Sequence, residues 1–153
     1  VFKANRPGWV DLVQPGDILV GGTNFGMGSS RPAARSLRNL GLACLVANSI
    51  NGLFFRNCVN FAFPAMECRG VFDAFNEGDV AEVDFETGAV RNTTSGKSLE
   101  AARAAGEQAL CDQHLHRLAR RRPAGAVLHA QLPLGGKVGV VVGAERRPQA
   151  AMG

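Results

Sequence analysis

The sequence predicts an α/β domain built on a mixed sheet. Three observations carry this. The first half alternates short apolar runs, DILVGG and ACLVAN, with stretches of helical periodicity. From residue 70 onward the apolar period changes to two, in VAEVDFETGAVRNTTSG. The chain has 153 residues, 46% hydrophobic and 20% charged, enough for one domain whose core needs no metal or disulfide staple. Strand–helix alternation followed by a hairpin argues against a purely doubly wound sheet.

Residues 1–16 contain Pro7 and Pro15 and are expected to form a loop or lid, with Trp9 as a packing anchor or, as the alternative, part of an interface. Residues 17–22 are a buried strand entered through a Pro-Gly turn. A glycine- and serine-rich loop, TNFGMGSSRP, leads into a helix over AARSLRNLG. Pro32 suits a first helical turn, where a missing N–H costs nothing. Ala33, Leu37 and Leu40 share a face, and Gly41 is placed to end the helix. Residues 43–48 are a second buried strand. SINGLFFRNCVNFA is expected to be helical with an interruption at Asn51-Gly52, lined by Phe54, Phe55, Cys58 and Phe61. Residues 63–68 are a third short strand.

The hairpin follows, turning at Glu86-Thr87-Gly88. Ser98 to Arg122 is Ala-rich, with Ser98 as the expected helix cap and Pro123 as the stop. Residues 126–130 and 138–142 are expected as two further strands around LPLGG, and the tail from Glu145 as frayed.

Composition excludes several classes. No apolar run approaches ~18 residues, so no membrane helix is expected. The net charge of +4 is modest, and its excess gathers in Arg117, Arg120, Arg121 and Arg122. That pattern describes a solvated helix end rather than a nucleic-acid site. Cys44, Cys58, Cys68 and Cys111 have no CxxC spacing and no histidine at finger spacing, so no metal site is expected. Cys44 lies in LACLVA as a small buried hydrophobe. A reduced, cytoplasmic chain fits these features. The sequence begins with Val1 rather than Met, so residues before it are left open.

The chemistry-bearing feature is Gly26-Met27-Gly28-Ser29-Ser30-Arg31-Pro32, between a buried strand and a helix start. Ligands of such architectures gather at the C-terminal ends of strands. Glycine lets backbone approach a ligand closely, and N–H groups at a helix start favour an anion. Two hydroxyls add donors, and a guanidinium grips a carboxylate in a fork. The set describes a carboxylate or phosphate site. The plainer alternative makes Ser29 or Ser30 a helix cap and the glycines turn formers. Gly26-x-Gly28 is half a dinucleotide fingerprint, with Arg31 where the third glycine belongs, and a Walker loop would need GK[ST]. A hydrolytic triad would have to recruit His114, His116 or His129 from far along the chain.

GDILVGGTNFGMGSSRPAARSLRNLG resembles the swivelling domain of the aconitase superfamily, in the separate small-subunit form found in 3-isopropylmalate dehydratases. The pattern there is roughly GDIIVAGxNFGCGSSREHA. LVANSINGLFFRNCVNFAFPAMEC is similar to that family's IARSFxxIFxxNxxNxGLP. GDVAEVDFETGAVRNTTSGK is similar to its GDxxxVDxxxGxVxNxTxGK. The three motifs occur in order from Gly16 to Lys97. Residues 17–97 are thus the matching core of one domain over 1–153, and 98–153 match weakly.

The resemblance implies a compact swivelling domain, with a partly open, barrel-like mixed sheet flanked by helices. It implies a hydro-lyase subunit that moves a hydroxyl between neighbouring carbons of a hydroxy-dicarboxylate through an alkene, as in leucine biosynthesis. The [4Fe–4S] cluster is implied to belong to a large partner subunit, with none bound by this chain. Ser29 corresponds to the serine that removes a proton as alkoxide. Gly28, Ser30 and Arg31 correspond to substrate-binding positions, Arg31 gripping a carboxylate.

A patch of Phe25, Met27 and residues 1–16 is expected to face the partner, with core packing the alternative for Phe25; self-association is left open. Departures include Pro32-Ala33 for Glu-His, Met27 for a cysteine, and Asn48 for an arginine. They keep two alternatives open. One is a related hydro-lyase acting on a dimethylmalate- or citrate-like acid. The other is a non-catalytic binding or assembly module on the same fold.

Overall fold

The computed structural model describes residues 7–28, 32–76, 79–85, 87–101, 126–127 and 140–142. Strands β1 (Ile18–Gly21), β2 (Cys44–Ala47) and β3 (Ala65–Glu67) run parallel, joined through α2 (Ala33–Asn39) and α3 (Gly52–Asn60). A short α1 (Trp9–Leu12) precedes them, and α4 (Val71–Ala74) follows. The second half supplies β4 (Val80–Asp84), β5 (Ala89–Asn92), β6 (Ser98–Glu100), β7 (Ala126–Val127) and β8 (Val140–Val142). Two four-stranded sheets result, ordered β3-β2-β1-β8 and β6-β5-β4-β7. The first is mixed, because β8 joins β1 antiparallel. The second is antiparallel throughout. The expected α/β class with a mixed, open sheet is observed, divided between two sheets.

The apolar runs of β1 and β2 follow from burial on both faces. Leu19 and Leu45 point into a core shared with Ala34, Leu37, Phe54 and Phe55 of the helical layer. Ile18, Val20, Cys44 and Val46 point the other way, onto Val71, Ala74, Ala81 and Val90. The first sheet is therefore the middle layer. Trp9 is buried in the helical-side core, so the proline-bearing entry is tied down there, as a packing anchor should be. Gln14-Pro15-Gly16-Asp17 turns into β1 with the Asp17 N–H donating to Gln14 O (3.1 Å) and Gly16 at φ 101°. This is the type II turn that a Pro-Gly pair favours.

Three expectations are corrected. Asn51-Gly52 is the start of α3, not an interruption. The Asn51 side chain accepts from the Leu53 N–H (3.1 Å), a standard N-cap bond. Ser98 lies in β6 and does not cap a helix, because Ser98-Leu99-Glu100 alternates and Leu99 packs on the second core. The rest of the expected helix to Arg122 lies outside the described residues, as does the tail from Glu145. The strands expected within 126–130 and 138–142 exist as β7 and β8, but they enter different sheets.

α3 ends with Ala62 in the left-handed region, φ 50°. The Ala62 N–H donates to Val59 O (3.1 Å) and the Phe63 N–H to Cys58 O (2.8 Å). That pair is a Schellman motif in which alanine stands where glycine is usual. Arg38 of α2 donates to Phe61 O (2.9 Å), tying the two helices at this end.

Asn92 organises the second sheet. Its Nδ2 donates to Ala74 O (2.9 Å) and Asp79 Oδ2 (2.7 Å), and its Oδ1 accepts from the Thr94 and Ser95 N–H groups (3.0 Å each). The fully buried amide thus has all its donors and acceptors satisfied. This accounts for asparagine ahead of TTSGK: a short amide links the hairpin to α4 while closing its own turn. Asn92→Ala should lower unfolding stability by on the order of 2–4 kcal/mol, read as a shifted urea midpoint at unchanged slope.

Candidate functional site

The site is built where β1 and β2 end. The pairing Gly21↔Ala47 is followed by the single parallel bridge Phe25↔Ile50, so the β1 side carries one extra residue. Asn24 takes φ 55° to absorb it. The Phe25 N–H donates to Ser49 O (2.9 Å), and the Asn51 N–H donates to Phe25 O (2.8 Å). The Asn24 N–H donates to Ser49 Oγ (2.7 Å), and Glu67 at the end of β3 accepts from the Ile50 N–H (2.6 Å). Three strand ends are thereby joined in one polar corner.

Aromatic packing holds this loop from below. Phe25 is buried and meets Phe54 edge-on, centroids 5.5 Å apart at 68°. A Cβ at Gly21 would come within 2.7 Å of Phe25 Cδ2. Gly26 has φ 85°, and a Cβ there would overlap Phe54. These two glycines serve packing. Gly28 is different: it is exposed, and a Cβ there would meet nothing within 4 Å.

Of the predicted site residues, Gly28 is therefore placed on an open rim. Ser29, Ser30 and Arg31 lie outside the described residues. Their two flanks, Gly28 and Pro32, are both exposed. Pro32 occupies the N-cap position of α2. Phe25 is corrected as a partner contact, since its ring belongs to the core, whereas Met27 is 74% exposed. Asn48 accepts from the Phe72 N–H (3.2 Å), so this departure from the family pattern has a local structural use. Sequence reasoning missed Asn24, Asn51 and Glu67 as loop clamps. The Asn-Gly step after β2 was the available signal for Asn51 as a helix cap.

The three described cysteines are divided between the two cores. Cys58 sits in the helical-side core, Cys44 and Cys68 in the other, and all three are buried. Burial pushes the Cys58 thiol up to about 12 from 9.0, against a smaller lowering by a backbone hydrogen bond, and raises Cys68 as well. Ligation needs a thiolate. Among the described residues no group of three His, Cys, Asp or Glu side chains gathers as a metal site, and no helix is long and apolar enough to cross a membrane.

Residues 11–68 match the family model described as Aconitase C-terminal domain. More particularly, the chain is 44% identical over 101 residues to the isopropylmalate/citramalate isomerase small subunit of Methanocaldococcus jannaschii, covering 65% of this chain and 60% of that one. It is 48% identical over 86 residues to 3-isopropylmalate dehydratase small subunit 1 of Thermotoga maritima, covering 56% of this chain and 51% of that one. The chain thus spans about half to three fifths of the curated relatives it matches. Its fold is that of the crystal structure of a 3-isopropylmalate dehydratase from M. jannaschii (TM-score 0.61, 22% identity, 76% of this chain and 74% of that one). The resemblance carried by the motifs therefore holds: this chain is similar to small subunits of 3-isopropylmalate dehydratase and to the aconitase C-terminal domain.

Gly26→Ala should cost on the order of 2–3 kcal/mol in denaturant unfolding, and Gly28→Ala under about 0.5 kcal/mol, because only the first meets packed atoms in a left-handed conformation. Stability should also fall in alkali. The raised Cys58 pKa favours the folded state fully below about pH 9, where the unfolded thiol is still protonated. That contribution is lost as pH climbs from 9 towards 12. The slope should be on the order of 1 kcal/mol per pH unit and should diminish in Cys58→Ala, measured by urea unfolding at pH 8 and pH 10.

Proposed function

We propose that this chain is the small subunit of a two-chain hydro-lyase. It would interconvert 2- and 3-isopropylmalate by dehydration and rehydration, the step of leucine biosynthesis carried out by 3-isopropylmalate dehydratase. The observation that carries this reading is the exposed rim at the end of β1. Gly28 and Pro32, which flank the two serines and the arginine in sequence, are both exposed, and Pro32 is the N-cap of α2.

In this reading Arg31 holds one substrate carboxylate through paired N–H donors. Its charge also favours the alkoxide form of Ser29. Ser29 Oγ takes the proton from the carbon next to that carboxylate. The hydroxyl leaves from the neighbouring carbon as the double bond forms, and water adds back in the opposite sense. Gly28 admits the substrate because no side chain stands over the backbone, and Ser30 donates to the bound carboxylate. Cys58 and Cys68 are buried with raised pKa values and lie in different cores, and in this reading the [4Fe–4S] cluster would belong to the partner large subunit. Closure of the two chains over the substrate excludes water. The name of the M. jannaschii relative couples isopropylmalate with citramalate, which supports a site tolerant of the alkyl branch. Pro32-Ala33, beside the site, would tune that tolerance.

Ser29→Ala should reduce kcat of the reconstituted complex by about 10²–10⁴-fold while subunit association is unchanged. Turnover would be followed as alkene absorbance with 3-isopropylmalate and with citramalate. Undiminished turnover would assign the loop a binding role and favour the non-catalytic module.

A further inference from the structure

The sequence contains no Asp or Glu between Asp17 and Glu67, and that interval holds Arg31, Arg35, Arg38 and Arg56. In the fold this interval supplies the two longer described helices of the helical layer, α2 and α3, while the short α1 against the same core carries an exposed Asp11. Arg35 and Arg38 on α2 and Arg56 on α3 are exposed, and Met27 and Leu53 are exposed beside them at 74% and 63%. The other side mixes its signs: Asp73, Glu82, Asp84 and Glu100 are exposed there with Arg69, Arg91 and Lys97. Solvated helix faces ordinarily carry both signs, since opposite charges one turn apart stabilise a helix. Here α2 forgoes such pairing and leaves two arginines three positions apart.

We infer that the outer face of the α2–α3 layer, with Met27 and Leu53 at its rim, docks an acidic surface of the large subunit. The inference rests on the small-subunit reading above. Arginine is abundant throughout this chain, so the absence of carboxylates from α2 and α3 is the telling fact. Depletion of Asp, Glu and Lys beside exposed Met and Arg is the composition of a protein interface. A second copy is disfavoured, because like faces repel. Its acid-bearing hairpin side would reach this face head to tail, which does not close as a two-fold dimer does. Nucleic acid is disfavoured because no aromatic ring is exposed on the described face for base stacking. The face adjoins the Gly26–Pro32 loop, so docking there steers the loop onto the partner's site and makes association salt-dependent.

The test titrates the full chain with the cluster-bearing large subunit at about 0.05 M and about 0.5 M salt. Arg35→Glu with Arg56→Glu should weaken binding about tenfold or more at low salt, with the gap closing at high salt and kcat of the saturated complex within about twofold of the parent. Circular dichroism checks the fold, and Arg91→Glu with Lys97→Glu controls for net charge. Parent-like binding by the helix-face variant, or equal weakening by the control, overturns the inference and leaves the hydro-lyase reading standing. Failure of the parent chain itself to bind the large subunit overturns both. Self-association or co-purifying RNA that the helix-face variant abolishes would assign the face to a second copy or to nucleic acid, and likewise overturns it.

Discussion

The loop proposed to bear the chemistry depends on one contact, the backbone of Gly26 against Phe54. Phe25 lies over Gly21 and meets Phe54 edge-on, and Gly26 can follow it only without a side chain and with positive φ. This seats the β1 loop on the first turn of α3. The Phe25↔Ile50 bridge then continues the parallel pairing past the strand ends by one out-of-step residue. The next residues, Met27 and Gly28, emerge into solvent because the preceding two are fully engaged. A rigid base beneath an exposed tip is what a surface needs in order to meet a substrate held by another chain.

The two-sided middle sheet serves the same end. Burial on both faces makes β1 and β2 apolar throughout, so their polar function is displaced to the loops at their C-terminal ends. The clamps there are short side chains, Ser49, Asn24, Asn51 and Glu67, each tied to backbone or to one another. Asn92 does comparable service in the second sheet. Its four bonds let a buried amide link hairpin, helix and turn without leaving a polar atom unpaired.

The described cysteines serve the fold. A subunit acting beside an iron–sulfur cluster could have contributed ligands. Here the described thiols are instead packed as small apolar groups, with Cys58 and Cys68 held protonated. What this chain brings to the proposed reaction is a base, a carboxylate grip and a face to dock with. In that proposal the iron–sulfur cluster would belong to the partner, and the arginines of α2 and α3 would face it across the interface.

Much of this was written along the chain. Period-two and helical patterns located the first three strands, both long helices and the hairpin, since those elements answer to local spacing. The GMGSSRP loop stood out because glycine, hydroxyl and guanidinium lie within a few residues of each other. Tertiary structure alone decided the rest. It divided the strands into two sheets, because β7 and β8 are too short and too far along the chain for local sequence to name their partners. It turned Ser98 into a strand, because pairing with β5 outweighs a capping preference. It made Phe25 core and Gly28 surface, although three positions apart in one loop, because what lies beneath a residue is set by chain that arrives thirty positions later.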